Sequence, residues 1–99
     1  MRKIRFTKVL TAVDLLDVTL HIEKKEVRKF ALNYRAWIKD ECIPVYRVNN
    51  FHGFLHEQRF WRDKRPIRLE EDMPLKEVVR KYTRYIILNF EKFKSYYEK

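Results

Sequence analysis

The chain has 99 residues, 23 of them Lys or Arg against 14 Asp or Glu, for a formal net charge of +9. That length builds one domain with its own core and no staple, and the lone cysteine, Cys42, excludes an internal disulfide or a cysteine-based zinc site. A single glycine, Gly53, excludes phosphate-binding glycine loops and the nucleophile elbow of hydrolases.

The opening MRKIRF has the basic character of a secretory leader, but Lys8, Asp14 and Asp17 interrupt the apolar run that would have to follow. No later stretch approaches the roughly 20 apolar residues of a membrane span. The expectation is an intracellular protein. Ile4 and Phe6 alternate with Lys3, Arg5 and Thr7, the period of a half-buried strand, and Val18, Leu20 and Ile22 alternate with Thr19 and His21 in the same way. Between them, VLTAVDLLD predicts one or two helical turns. From Glu23 to Glu41, Val27, Phe30, Ala31, Tyr34, Trp37 and Ile38 fall at helical spacing, which predicts a long amphipathic helix stopped by Pro44. Val45 to Val48 reads as a short strand.

Asn49, Asn50 and Gly53 suggest a turn. The following FLHEQRFW fits helix and strand equally, and IRL after Pro66 reads as an edge strand. The last segment predicts a second long helix, with Asp72 as cap, Pro74 in the first turn and Glu77 near its positive end. Its stripe runs through Leu75, Val78, Val79, Tyr82, Tyr85, Ile86, Phe90, Phe93, Tyr96 and Tyr97. The expected fold class is therefore α+β: two long amphipathic helices packed on a small, mostly antiparallel sheet, in a single domain over residues 1–99. A small sheet would leave part of a roughly 35 Å helix uncovered, which points to a homodimer through the last helix. Ile87 and Leu88, opposite the core stripe, and Asn89, an amide within it, are the candidate interface residues.

The chemistry-bearing residues form no catalytic constellation. His52 and His56 are spaced i, i+4, but no third ligand accompanies them, so neither a metal nor a cofactor is expected. The acidic run Glu70, Glu71 and Asp72 precedes a helix, where carboxylates stabilise exposed N–H groups. The back of the first predicted helix carries Lys25, Arg28, Lys29, Arg35 and Lys39 with no acid among them, whereas a merely solubilising face mixes signs. Leu32 sits out of place among those cations. Arg59, Arg62 and Arg65 lie in RFWRDKRPIR, where Phe60 and Trp61 interleave with charge as single-stranded nucleic acid favours.

These features predict a non-catalytic protein that binds an acidic partner, most concretely nucleic acid, through a basic helix face. The rival expectation is a module that captures a host or viral protein through an apolar helix surface. The two differ in whether the cations gather on one face or scatter.

The stretch HIEKKEVRKFALNYRAWIKDECIPVYRV, His21 to Val48, and the charge-rich, glycine-poor composition resemble small uncharacterised proteins of filamentous DNA viruses, the lipothrixviruses and rudiviruses of hyperthermophilic acidophilic archaea. The abundance of Lys, Arg and Glu fits such an origin independently. The resemblance implies a viral accessory protein in the host cytoplasm, and it carries no catalytic residues.

Overall fold

Two short turns decide this architecture. Lys24 and Lys25 have φ of 52° and 64°, and Lys39 and Asp40 have φ of 50° and 67°. Two consecutive residues with positive φ between paired strands are the signature of a type I′ hairpin turn, whose twist matches that of the strands it joins. The paired residues flanking each turn are Glu23 with Glu26 and Ile38 with Glu41. In the computed structural model, which describes residues 1–99, the segment between these turns is therefore a strand and not the expected helix.

The sheet has six antiparallel strands in sequence order: β1 (Arg2–Thr11), β2 (Asp14–Glu23), β3 (Glu26–Ile38), β4 (Glu41–Asn49), β5 (His56–Arg59) and β6 (Asp63–Arg68). One helix, α1 (Leu75–Glu98), lies across one face of it, against β3 and β4. The protein is mostly β, which corrects the expectation of two long helices on a small sheet. The expected helical turns in VLTAVDLLD are likewise the β1–β2 hairpin, closed where Thr11 pairs with Asp14.

In β3 the fully buried side chains are Phe30, Leu32, Tyr34 and Ala36, a period of two. Leu32, out of place on a helix, is thus a core residue of a strand. Pro44 does not stop a helix. It lies inside β4, opposite Arg35, next to a bulge in which Val45 has no partner on β3. A bulge tolerates a residue without an N–H in an otherwise central strand. A second bulge leaves Arg28 unpaired between Val27 and Lys29. There the Asn50 side chain substitutes for a strand, accepting from Phe30 N–H at 2.8 Å and donating to Arg28 C=O at 3.2 Å.

The helix matches its sequence pattern closely. Val78, Tyr82, Ile86, Phe90 and Phe93 are buried and meet Leu16, Val18, Leu32, Tyr34, Tyr46 and Val48 of the sheet in one core. Asp72 does not cap it. Pro74 occupies the cap position without a side-chain bond, and its carbonyl accepts from Glu77 and Val78 N–H. The protein's own sheet covers most of the stripe, with Leu75, Val79, Tyr85 and Tyr97 packed at the margin of the core and Tyr96 left exposed.

Two buried carboxylates pin the helix side of the sheet. Asp14 accepts from the Tyr34 hydroxyl at 2.6 Å and faces Lys94 of α1 at 3.6 Å, while Glu57 accepts from the Tyr46 hydroxyl at 2.8 Å and pairs with Arg59 at 2.8 Å. Burial, and then the facing carboxylates, push both phenols far above the ordinary tyrosine range. They therefore stay protonated as donors, and each acid keeps its partner.

Candidate functional site

Because α1 covers one face of the sheet, the other face is open. Antiparallel partners project to the same side, so the register lays out that face row by row. One row is Lys3, His21 and Lys29; the next is Arg5, Thr19, Ala31, Asn49, His56 and Arg68. A third holds Thr7, Asp17, Asn33, Arg47 and Gln58, and a fourth Val9, Leu15, Arg35 and Pro44. Six cations thus share one surface with a single acid, Asp17.

That acid is fully engaged. It accepts from Thr7 at 2.7 Å and from Arg35 at 2.7 Å, and Asn33 approaches at 3.5 Å. Burial by itself raises the Asp17 carboxyl, but the bonds from Arg35, Thr7 and Asn33 together outweigh it and hold the group below its ordinary value. Arg35 also donates to Cys42 Sγ at 3.3 Å, and Arg47 donates to Asn33 at 3.4 Å. The middle of the face is a fixed polar lattice, and Lys3, Arg5, Lys29 and Arg68 rim it as exposed charges. His21 stands among Lys3, Arg5 and Lys29. Its partial burial first, and then those three charges, lower its pKa below 6.5.

The segment after β4 folds over one corner of this surface. Phe51 sets its ring edge-on to His21 at 5.1 Å, with the Lys29 ammonium 6.0 Å from its centre. Arg68 lies 5.4 Å from the Phe54 ring, and Arg47 lies 5.4 Å from the Phe60 ring. Phe60 and Trp61 therefore part company. Phe60 turns to the open face, whereas Trp61 stacks on Phe93 beneath the helix at 5.0 Å.

The cations expected to form one helical row are dispersed, because there is no helix to align them. Lys25 and Lys39 sit in turns at opposite ends of β3, about 40 Å apart at the rise of a strand. Arg28 occupies the bulge and pairs with Glu26. Only Lys29 and Arg35 reach the open face. Arg59, Arg62 and Arg65 do converge, around a cleft of about 370 Å³. There Arg59 is spent on Glu57 and Arg65 on Asp63 at 2.7 Å. The residues missed from sequence are Lys3, Arg5, Arg47 and Arg68. For the first two the signal was already present, since their alternation with Ile4 and Phe6 assigns them to the opposite face.

Of the helix residues, Leu88 is 71% exposed and Ile87 is half-exposed, while Asn89 donates to Tyr85 C=O within its own helix at 2.8 Å. The His52 and His56 rings are 5.8 Å apart. His56 is buried with Nδ1 3.1 Å from Phe54 C=O, and no group of three His, Cys, Asp or Glu side chains is placed to hold a metal. No helix is long and apolar enough to cross a membrane.

Fold and surface together define a small antiparallel meander backed by one helix, with a basic, phenylalanine-rimmed sheet face left open. The chain belongs to the family described as a domain of unknown function, DUF7718, which matches residues 1–99. No curated protein and no solved structure matches it.

Proposed function

We propose that this protein is a non-catalytic nucleic-acid-binding protein that holds phosphates on the open face of its sheet. The observation that carries the reading is the segregation of charge. Six cations share that face with one neutralised acid, whereas the outer surface of α1 mixes Lys76, Arg80, Lys81, Arg84 and Lys92 with Glu77 and Glu91. A solubilising surface mixes signs, and a phosphate-binding surface does not. Together with the resemblance to proteins of archaeal filamentous viruses, this gives an accessory protein acting on nucleic acid in the host cytoplasm.

The test is the salt dependence of binding. Replacing Lys3, Arg5 and Lys29 by Gln should weaken binding to all sequences alike and reduce the slope of log affinity against log salt by about 2, at roughly 0.7–0.9 per phosphate contact. Replacing Lys25 and Lys39 should leave the slope nearly unchanged. Wild-type protein that binds neither DNA nor RNA at low salt refutes the proposal.

A second reading has one observation in its favour. Leu88 is the most exposed leucine, and it borders a groove of about 410 Å³ between α1 and β5 floored by Leu69, Tyr82 and Tyr85. A second copy of the chain docking there through Ile87 and Leu88 would appear in sedimentation at micromolar concentration as twice the chain mass, abolished by Leu88→Asp.

A further inference from the structure

The geometry points to single-stranded nucleic acid, not duplex, as the form held on the open face, with Phe51, Phe54 and Phe60 as the base-stacking positions. This inference rests on the nucleic-acid reading above and deepens it.

Three phenylalanines within ten residues, flanking β5 on both sides, each have a cation over the ring, and the cations come from three different strands. Lys29 of β3 meets Phe51, Arg47 of β4 meets Phe60, and Arg68 of β6 meets Phe54. A single such pair is an ordinary event at about one per 70–80 residues. Three on one face, assembled by tertiary pairing, form a repeated unit. Core packing does not explain them, because the rings that build the core (Tyr34 on Phe90, Tyr46 and Trp61 on Phe93) all lie beneath α1. Phe51, Phe54 and Phe60 are partly exposed on the side that no element covers.

Each pair offers what an unpaired nucleotide needs in one place. The cation meets the phosphate, and the ring beside it meets the face of the base. A duplex keeps its base faces stacked inside and would engage only the cations. The register also sets the spacing. Arg47 lies opposite Gln58, and Arg68 opposite His56 two residues away, so these two pairs stand about 12 Å apart. Lys29 lies four residues along β3 from Asn33, the partner of Arg47, about 14 Å away. That span holds a few nucleotides, at the low end of the about 4–16 covered by small β-modules that bind single strands.

Fluorescence anisotropy with a labelled oligothymidylate of about twenty nucleotides and a duplex of equal length tests this. The single strand should bind at least tenfold more tightly. Phe51→Leu and Phe60→Leu, in separate loops, keep an apolar side chain but remove the ring, and each should cost the single strand roughly tenfold. Duplex affinity and the salt slope should not move, since no cation is lost. Circular dichroism of each variant establishes folding, and having the two in different loops leaves one informative if the other misfolds. Equal affinity for both forms, or single-strand binding indifferent to both substitutions, overturns the inference while leaving phosphate binding intact. Binding of neither form by wild type overturns both.

Discussion

Leu32 and Leu88 are the same residue in opposite situations, and replacing each by alanine separates the strand architecture from a helical reading of the same segment. Leu32 is fully buried in β3, packed in the core between sheet and helix, whereas Leu88 is 71% exposed on α1. A buried leucine cut to alanine loses its transfer free energy and leaves a cavity, at a cost of about 2–5 kcal/mol. The neighbours of Leu32 on its strand pairs, Val18 and Val48, are themselves buried and tied into the ladder, so they cannot collapse far into the gap. About 3 kcal/mol is therefore expected. Leu88→Ala should stay within about 0.5 kcal/mol, as surface changes do. Guanidinium unfolding followed by far-ultraviolet circular dichroism reads both, the difference appearing as a shift of midpoint at constant slope. Were Glu23–Glu41 a helix with Leu32 on its basic back, the two substitutions would behave alike. A Leu32→Ala cost below about 0.5 kcal/mol refutes the placement of β3.

The hairpin turns give a second test: Lys39→Asn with Asp40→Gly should raise the unfolding midpoint, by about 1 kcal/mol of stability, since both positions need positive φ, and an unchanged or lowered midpoint counts against the turn. The Asp17 carboxyl is held low in the folded state, so its contribution is present above its ordinary value of 3.8 and is lost as pH falls through the folded pKa. Wild type should therefore exceed Asp17→Asn in unfolding midpoint near neutral pH and converge with it in acid. A constant gap from neutral pH to below pH 3 counts against the Asp17–Arg35 pair. His21 is depressed below 6.5 by burial and by Lys3, Lys29 and Arg5, so a phosphate among these groups should return its proton. Affinity for nucleic acid should rise as pH falls below 6.5, and His21→Gln should remove that rise.

The legibility of this chain divides along the reach of its hydrogen bonds. α1 could be read from sequence because a helix satisfies its backbone internally, and 24 residues of period 3.6 specify the buried face without reference to anything else. The alternations of Ile4 with Phe6 and of Val18 with Leu20 and Ile22 likewise announce β1 and β2. In β3 two periods compete. Phe30, Tyr34, Trp37 and Ile38 satisfy a helix, while Phe30, Leu32, Tyr34 and Ala36 satisfy a strand, and the out-of-place Leu32 was the one local sign of the second. Only pairing with β2 and β4, the strands on either side of it in the chain, settles the contest. The turns that permit this pairing are Lys-Lys and Lys-Asp, neither of them the Asn-Gly or Asp-Gly pair that marks a hairpin, and the bulges at Arg28 and Val45 break the alternation that would have revealed the strands. The open face depends most on tertiary structure. Lys3, Lys29, Arg47 and Arg68 come from four strands, and a slip of one residue in any pairing would turn a cation toward the helix. The sequence by itself determined the abundance of positive charge; which charges share a surface was decided by register, because a side chain's face in a sheet is set by its partner strands.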